Sequence, residues 1–315
     1  MNKIILDCDP GMDDSAAIVL AAKNPSLQLL AVTTVNGNYP AEVTFQNARR
    51  MLHLLGRTDI PVYRGCEEPM VRPAPKDPFT HGQDGQAEAF LPLPETAPEV
   101  KHAVQAIIDL VRENPGEITL VCTAPLSNIG MAFKLAPDIK PLVKRVIAIS
   151  GAFGLNEASF RNATGDTPQS EWNVYVDPEA AKLVYESGVP MTAIGLDVAT
   201  YFSVDFSESD LKRLEASGKP EAGFLRKAIR FVRGRGFQAY CAVIDCMAIA
   251  CAADHTLVET VPGHVGVETK DGLTLGMTVM DRRHHFTWEQ LPLIDVTVRA
   301  DYARFLTGLI DAFVA

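Results

Sequence analysis

Short runs of valine, isoleucine and leucine alternate with longer amphipathic segments along most of this chain. The runs predict β-strands at residues 3–7, 27–35, 118–124, 143–150 and 190–196. Apolar residues spaced by three and four predict helices at residues 13–24, 41–56, 99–114 and 177–188. Because the strands lack strict alternation of apolar and polar residues, they indicate an α/β fold, with a mostly parallel central sheet flanked by helices on both faces. Ligands of such open, Rossmann-like sheets bind beyond the carboxyl ends of the strands.

The remainder of the chain adds further helices and a C-terminal hairpin. Residues 266–279, with a Lys-Asp-Gly turn, predict the hairpin, and residues 300–315 predict a closing amphipathic helix. Two long segments, 67–98 and 153–170, are loop-like, and loops of that length in a compact domain are usually functional. With 315 residues, 47% of them hydrophobic, the chain can bury a full core, and we expect one domain over residues 1–315.

Charge and cysteine usage limit the partners and the compartment. The formal net charge is −10, so the chain has no basic footprint for a nucleic-acid polymer or an anionic membrane surface, and we expect neither as a partner. Its six cysteines form no C-x-x-C pair, which suggests a reducing compartment. There is no run of 18 apolar residues and no apolar segment typical of a signal peptide, so we expect a cytoplasmic protein.

Four aspartates crowd the carboxyl end of the first predicted strand: Asp7, Asp9, Asp13 and Asp14. A favourable interaction with the dipole of the following helix explains Asp13 and Asp14 on their own. It does not explain Asp9, because carboxylates packed together cost stability unless a cation neutralises them. Calcium binds six to eight oxygen ligands, whereas magnesium keeps more water, so this local sequence favours a Ca²⁺ site over a Mg²⁺ site.

The stretch DCDPGMDD resembles the signature of the inosine–uridine-preferring nucleoside hydrolase family. Further motifs of that family follow in order across nearly the whole chain: AVTTVNGN (31–38), HGQDG (81–85), TAPLSNIGMA (123–132), EWNVYVDPEAA (171–181), the aspartate of AVIDCMAIA (242–250) and LTLGMTV (273–279). The resemblance implies a nucleoside hydrolase-like fold and a hydrolase that cleaves the N-glycosidic bond of a small-molecule ribonucleoside with one bound Ca²⁺. It also implies a role in purine or pyrimidine salvage and assembly as a homodimer or homotetramer.

The resemblance assigns roles to the crowded aspartates. Asp9 would be the general base that activates water, and Asp9 and Asp14 would bind the calcium ion. The other ligands would be Asp245 and the backbone carbonyl of Thr123. A lone carboxylate in an apolar helix is rarely tolerated without a partner, so Asp245 predicts either a metal ligand or a structural ion pair. Asp7 is expected to support this turn through hydrogen bonds rather than to touch the ion.

Other residues resemble those that hold the substrate. The resemblance places Asp13, Asn38 and Asn173 on the 2′- and 3′-hydroxyls of ribose, and Glu171 and Asn162 on the 5′-hydroxyl. An ordinary loop asparagine is the alternative for Asn173. His81 would be a base-side or lid residue, with a solvated loop histidine as its alternative.

Departures from the family pattern concern the leaving group. Where many relatives carry a His-Asp pair whose histidine protonates the base, this chain has Ile244 before Asp245. Either another residue protonates the base, or the enzyme relies on activation of the sugar. The residues that could replace that histidine are His81, Tyr240, Arg230, Arg233 and Arg235, and the sequence does not choose among them. The segment before Glu171 is also longer than usual, so Thr164 or Gln169 could take the role of Asn162.

Two alternatives from other classes remain. A D-x-D start after a strand also opens the haloacid-dehalogenase phosphatases, but they need Thr or Val where this chain has Gly11, and they leave the later motifs unexplained. The substitution at Ile244 motivates the second alternative, which is a hydrolase of an unusual N-riboside or a catalytically weak, calcium-dependent ribose-binding relative.

Overall fold

The computed structural model describes residues 1–75, 80–285 and 287–315. Within these residues, nine strands join one sheet, in the order β3-β2-β1-β4-β5-β6-β9-β7-β8. The strands are β1 (Asn2–Cys8), β2 (Leu27–Thr34), β3 (Val62–Arg64), β4 (Ile118–Cys122), β5 (Arg145–Ile149), β6 (Met191–Ile194), β7 (Val258–Val267), β8 (Thr278–Asp281) and β9 (Leu293–Ala300).

Helices connect and cover the strands. The α-helices are α1 (Met12–Lys23), α2 (Ala41–Leu54), α3 (Ala103–Glu113), α4 (Ser127–Leu135), α5 (Ala158–Arg161), α6 (Trp172–Val176), α7 (Pro178–Tyr185), α8 (Leu196–Ala199), α9 (Glu208–Ala216), α10 (Pro220–Gly234), α11 (Cys246–Ala253) and α12 (Tyr302–Val314). Short 3₁₀ helices cover Pro137–Leu142, Ala239–Ala242 and His255–Leu257.

The sheet is mostly parallel, as predicted. All neighbours from β3 through β9 in the sheet order pair in parallel, and only β7 runs antiparallel, against both β9 and β8. The predicted hairpin is present, since Val267 of β7 pairs with Thr278 of β8. The sequence patterns missed β3, which is only three residues long, and β9.

Alternate residues of β1 pack on opposite faces of the sheet. Ile4 and Leu6 belong to a core cluster with α1, α2 and α10 to α12, whereas Ile5 belongs to a second cluster with α3, α4 and α7. All three side chains are fully buried, and burying a side chain of this size contributes about 1.5–3 kcal/mol. Burial on both faces explains why the strand sequences are apolar without alternation.

The strand order reverses between β1 and β4, and this reversal positions the site. Strands β2 and β3 lie on one side of β1, and β4, β5 and β6 continue on the other. Asp7 at the end of β1 is in register with Cys122 at the end of β4. The chain segments that follow these two residues therefore emerge side by side at the crevice where open α/β sheets bind ligands.

The sequence indicated no membrane-spanning segment and a reducing compartment, and the helices and cysteines of the structure bear on these two expectations. Among the described residues, no helix is both long and apolar enough to cross a membrane. All six cysteines are free thiols, and four of them are buried.

Candidate active site

The turn after β1 brings its carboxylates to the end of the sheet. Asp9 is fully buried just beyond β1, and Gly11 turns the chain into α1. The backbone N–H of Gly11 donates to Oδ2 of Asp14 at 3.1 Å. This bond holds the Asp14 side chain against the turn, so that Asp13 and Asp14 occupy the first turn of α1 beside Asp9.

Three carboxylates form an acidic trio, defined here as Asp13, Asp14 and Asp245. Each offers an oxygen, and these oxygens all lie within 4.8 Å of one another. Asp245 is the residue immediately before α11 and makes no side-chain cap hydrogen bond there, so it precedes that helix rather than lying inside it. Burial raises the pKa of Asp13 and of Asp14 to about 6. Burial and then the neighbouring Asp13 and Asp14 charges raise the pKa of Asp245 well above its usual range.

Asp9 lies beside this trio with one oxygen unused. Its Oδ2 accepts the backbone N–H of Asn38 at 2.6 Å, whereas among the described residues its buried Oδ1 has no hydrogen-bond partner. Burial, followed by the charge of Asp14, raises the pKa of Asp9 well above its usual range. An unpaired buried carboxylate oxygen is costly, and an oxygen-ligated cation would use it. The residues present therefore fit a hard metal ion.

Thr123 links the acidic trio to the end of β4. Its Oγ1 donates to Oδ1 of Asp14 at 2.7 Å, and its backbone N–H donates to the carbonyl of Asp7 at 2.9 Å. The Thr123 carbonyl accepts from Nδ2 of Asn173 at 3.0 Å, and the same nitrogen donates to the carbonyl of Ile149 at 3.0 Å. Asn173 thus joins the ends of β4 and β5.

Asn38 approaches the site from the end of β2. Its Nδ2 donates to the carbonyl of Asp9 at 3.3 Å and to Oδ2 of Asp14 at 3.4 Å. The preceding residue, Gly37, lies so close that a Cβ there would be 2.0 Å from Oδ2 of Asp9. Only glycine fits at this position.

Asp7 is fully buried and is bonded through one of its two carboxylate oxygens; among the described residues Oδ2 has no hydrogen-bond partner. Its Oδ1 accepts from Oγ1 of Thr33 at 2.6 Å and from Nδ2 of Asn128 at 2.8 Å. Burial raises the pKa of Asp7 to about 7. Sequence reasoning missed Asn128, although a buried asparagine at the start of α4, inside the TAPLSNIGMA motif, was an available signal.

Glu171 and Asn162 were both assigned to the 5′ end of ribose, and the structure gives them different surroundings. The Glu171 carboxylate accepts backbone N–H groups of Gly151, Asn173 and Val174, and burial raises its pKa to about 7. Glu171 therefore lies directly beside Asn173. Asn162 instead donates through Nδ2 to the carbonyl and Oγ1 of Thr200, at 3.1 Å each.

The lengthened segment brings Thr164 to the Glu171 motif. Oγ1 of Thr164 accepts the backbone N–H of Trp172 at 2.8 Å. Of the two alternatives to Asn162 that the sequence raised, Thr164 is therefore held next to Glu171 by a direct contact with the following residue.

His81 packs on the aspartate turn. Its Nδ1 accepts the backbone N–H of Met12 at 3.3 Å and lies 3.5 Å from Oδ1 of Asp13. The imidazole covers Gly11, where a Cβ would lie 2.5 Å from Nδ1. Because Nδ1 accepts a hydrogen bond, the neutral ring carries its proton on Nε2. His81 is buried rather than a solvated loop residue.

The other candidate proton donors have different partners. The Tyr240 hydroxyl donates to the carbonyl of Thr200 at 3.2 Å, and burial raises its pKa. Arg233 donates to the carbonyl of Phe206 at 3.2 Å. Arg235 is exposed, with its guanidinium 4.5 Å from the ring centroid of Phe231, and Arg230 is also exposed. Ile244, half-buried, packs against the core.

Sequence comparisons identify the relatives of this chain. A sequence model of the inosine-uridine preferring nucleoside hydrolases matches residues 4–307. An inosine-uridine preferring nucleoside hydrolase of Leishmania major is 38% identical, with 99% of this chain and 97% of that protein covered. The pyrimidine-specific ribonucleoside hydrolase RihA of Salmonella arizonae is 36% identical, with 98% of this chain and 97% of that protein covered.

Solved structures show the same similarity. The plant nucleoside hydrolase PpNRh1 superposes with a TM-score of 0.86 at 29% identity, over 100% of this chain and 99% of that one. A purine-preferring ribonucleoside hydrolase from Gardnerella vaginalis also gives a TM-score of 0.86, at 28% identity, over 99% of this chain and 98% of that one.

Proposed function

The chain belongs to the inosine-uridine preferring nucleoside hydrolase family and is an enzyme that hydrolyses ribonucleosides, and from this premise we propose that Asp9 is its general base at a Ca²⁺ site. The observation that carries this proposal is the unpaired, buried Oδ1 of Asp9 beside the acidic trio. A general base must hold a free lone pair within reach of the water that it activates.

The proposed metal ligands are Asp9, Asp14, Asp245 and the carbonyl of Thr123. These donors are all oxygen atoms, which suits Ca²⁺, and the mutual repulsion of the carboxylates is relieved by a divalent charge. When bound, such an ion orients water and lowers its pKa. The raised pKa values of Asp9, Asp14 and Asp245 support a cation at this place.

The chain's own residues would then bind the sugar and move the proton. We propose that Asp9 accepts a proton from the water that attacks the anomeric carbon, while Asp13, Asn38 and Asn173 bind the 2′- and 3′-hydroxyls. Asp13 belongs to the acidic trio, Asn38 donates to Asp14 of that trio, and Asn173 donates to the carbonyl of the proposed ligand Thr123. Because a site that hydrogen-bonds hydroxyls rejects analogues without them, 2′-deoxynucleosides should be poorer substrates by roughly 10⁴-fold.

The 5′ end of the ribose would meet Glu171. Its burial and its contact with the Asn173 backbone support this role. We also propose Asn162 for the 5′-hydroxyl. Thr164 is the alternative, because it contacts the backbone of Trp172, which lies between Glu171 and Asn173.

For the leaving base we propose His81 as the proton donor. Its Nδ1 lies 3.5 Å from Oδ1 of Asp13, which is a proposed ribose ligand. Tyr240 instead donates to the Thr200 carbonyl, which also accepts from Asn162, and Arg233 donates to the Phe206 carbonyl. The Met12 N–H holds Nδ1 as an acceptor, so that the exchangeable proton of the neutral ring is on Nε2.

A second function is favoured by one observation only. Ile244, which cannot transfer a proton, stands beside the ligand Asp245, which fits a hydrolase of an unusual N-riboside or a weakly catalytic ribose-binding protein. The relatives named above include both pyrimidine-specific and purine-preferring enzymes. Membership of the family therefore does not determine which base is cleaved from the ribose.

Ribose release from a panel of purine, pyrimidine and modified ribonucleosides, with metal content measured on the same sample, tests the proposal. We expect about one Ca²⁺ per chain, turnover of at least one ribonucleoside, and a loss of roughly 10²–10⁴-fold in kcat for Asp9→Asn. A zinc-only protein would contradict the metal assignment, and near-normal turnover by Asp9→Asn would remove its role as base. Tight ribose binding with no turnover of any N-riboside would favour the second function.

We also propose that the enzyme is a cytoplasmic homodimer or homotetramer that takes part in purine or pyrimidine salvage without a nucleic-acid partner. The family resemblance supports the assembly and the salvage role, and the free thiols fit a reducing compartment. Light scattering on the purified protein would contradict the assembly by giving the mass of a single chain.

A further inference from the structure

We propose that Asp84 is a positioning residue for the leaving-group step, because its carboxylate folds the loop that holds His81 over Gly11. This inference rests on the proposed role of His81. Within the part of the chain that the structure describes, the hydrogen bonds that the Asp84 carboxylate accepts all come from backbone N–H groups of its own loop, and none joins it to the acidic trio. Asp84 would therefore position His81 through the backbone of the loop that contains both residues.

The Asp84 carboxylate organises the turn that follows it. Oδ1 accepts the backbone N–H groups of Gln86 at 2.8 Å and of Glu88 at 2.9 Å, and Oδ2 accepts that of Phe90 at 2.7 Å. The Asp84 side chain thus accepts the N–H groups of residues 86, 88 and 90, which backbone carbonyls would otherwise accept. Loops that satisfy their N–H groups in this way need no other secondary structure.

The turn needs this support because its backbone is strained. Ala87, Glu88 and Phe90 have φ values of 56°, 59° and 49°, which is the left-handed region that residues other than glycine rarely adopt. Such conformations persist only where surrounding contacts hold them. Two of the three, Glu88 and Phe90, donate their N–H groups to Asp84.

The strained turn closes on His81 itself. The backbone N–H of Ala87 donates to the His81 carbonyl at 2.9 Å, and that of Gly85 donates to the Gly82 carbonyl at 3.3 Å. The Tyr39 hydroxyl also donates to the Gly82 carbonyl. The path of residues 81–90 is therefore one hydrogen-bonded unit, and the imidazole sits at its start.

Buried amides fasten this unit to the aspartate turn. Nδ2 of Asn47 donates to the carbonyl of Asp84 at 2.9 Å and to that of Pro10 at 3.0 Å. Nε2 of Gln86 donates to Oγ of Ser15 at 2.9 Å, one residue beyond the acidic pair of α1. Asn47 and Gln86 are both fully buried. A change in the turn at Asp84 would therefore move His81 relative to Asp13, and not merely loosen a surface loop.

The test compares Asp84→Ala, His81→Ala and the double variant on the best ribonucleoside substrate and on 4-nitrophenyl riboside, whose phenolate leaves without protonation. We expect Asp84→Ala and His81→Ala to lower kcat for the ribonucleoside alike, by roughly 10²-fold or more, with KM little changed. Both should retain nitrophenyl riboside turnover within about threefold, and the double variant should lose no more than either single variant, because both act on one step.

Two further variants calibrate the result. Asp84→Asn keeps one carbonyl oxygen for the Gln86 and Glu88 N–H groups and should recover part of the activity. Asp254→Ala removes an exposed carboxylate that caps a short 3₁₀ helix through the Thr256 N–H, and should leave both substrates unaffected. Hydrogen exchange over residues 81–90 should accelerate in Asp84→Ala, which reports the loosened turn independently of activity.

The outcomes separate the two proposals. Normal ribonucleoside turnover by His81→Ala would overturn the role of His81 and this inference with it. An impaired His81→Ala together with a normal Asp84→Ala would overturn this inference alone. Equal losses on both substrates, or losses that multiply in the double variant, would also overturn it, since they indicate a general structural role for Asp84.

Discussion

At the scale of single residues, this protein concentrates buried carboxylates where most proteins avoid them. Asp7, Asp9 and Asp14 are fully buried within eight positions of one another. Among the residues that the structure describes, each of Asp7 and Asp9 has one bonded and one unbonded oxygen. Oδ1 of Asp7 accepts from Thr33 and Asn128, Oδ2 of Asp9 accepts from Asn38, and the other oxygen of each is buried without a hydrogen-bond partner. The two carboxylates differ in their neighbours. Asp9 lies against Asn38 and beside Asp14 of the proposed site, whereas Asp7 is bonded to Thr33 in β2 and Asn128 in α4.

A substitution at Gly37 tests whether the close approach of its backbone fixes the position of the Asp9 carboxylate. A Cβ at Gly37 would lie 2.0 Å from Oδ2 of Asp9, so Gly37→Ala must displace either the carboxylate or the Asn38 loop. We expect a loss of kcat of at least roughly 10²-fold, as expected for a displaced general base, with stability reduced by only about 1–3 kcal/mol. Steady-state kinetics and urea unfolding measure the two effects. Gly223→Ala, where a Cβ meets no atom within 4 Å, is the control, and full activity of Gly37→Ala would show that this close approach does not fix the position of the carboxylate.

Ile244 provides a test of the leaving-group side. Replacing it with histidine places an acid next to Asp245, and we expect Ile244→His to raise kcat/KM for inosine by roughly 10-fold or more, because a second acid adds to the protonation of the base proposed for His81. Ile244→Leu is the control for volume. If Ile244→His gains no more than Ile244→Leu, the base pocket differs in more than this side chain.

At the scale of secondary-structure elements, buried caps hold the loops at the carboxyl end of the sheet. Asp177 caps α7, because its Oδ1 accepts the N–H of Ala180 at 3.0 Å. Its Oδ2 also accepts from the Met70 N–H at 3.0 Å and from Oγ of Ser127 at 2.6 Å. One carboxylate therefore ties the starts of α7 and α4 to the long 67–98 segment, which the sequence pattern did not indicate.

Asp177→Ala should therefore cost more than the loss of an ordinary cap. We expect the free energy of unfolding to fall by roughly 3–4 kcal/mol, since two buried donors and one part-buried donor lose their acceptor. Asp301→Ala, which removes an exposed cap from α12 at the Arg304 N–H, should cost only about 1 kcal/mol. Urea unfolding of both variants with Ca²⁺ present gives the comparison, and equal losses would show that the Met70 and Ser127 contacts contribute nothing.

At the scale of the whole molecule, the site is assembled from distant parts of the chain. Asp9 and Asp14 follow β1, Thr123 follows β4, and Asp245 precedes α11. The reversal of strand order between β1 and β4 brings the first two segments together. That residues 1–315 form a single domain stays a prediction.

Because the acidic trio spans the fold, a bound cation should stabilise the entire protein. Burial raises the pKa of Asp14 to about 6 without metal, so this carboxylate's contribution to stability is largest at low pH and declines as pH rises through about 6. Calcium and protons compete for the same oxygens. Added Ca²⁺ should therefore raise Tm more at about pH 8 than at about pH 5.5, with a gain of roughly 2.7 kcal/mol at a hundredfold excess over Kd.

Thermal unfolding after chelation and Ca²⁺ addition measures this difference. Asp245→Asn, which removes one proposed ligand, should show a smaller Ca²⁺ response at both pH values. A response that is independent of pH would contradict competition at the carboxylates.

Most strands of the sheet and the aspartate turn after β1 could be predicted, because the patterns that indicate them involve residues close together in the sequence. The apolar runs of β1, β2, β4, β5 and β6 are buried on both faces, and this burial requires valine, isoleucine and leucine throughout. The crowded aspartates of the β1 turn are equally local, since repulsion among neighbours in sequence can be read without a structure. Strand β3 was missed because three residues are too few to show a pattern. Strand β9 was missed because its polar residues interrupt the apolar run.

The sequence by itself determined the α/β class, the family through its ordered motifs, and the concentration of negative charge after the first strand. Only the tertiary structure decided which oxygen of Asp9 lacks a partner among the described residues, that Asp13 lies with Asp14 and Asp245, that His81 covers Gly11, and that Asp84 and Asn47 hold it there. The physical reason is that apolar periodicity and charge crowding act between near neighbours along the chain. Hydrogen-bond partners of buried groups are chosen by packing between segments far apart in sequence.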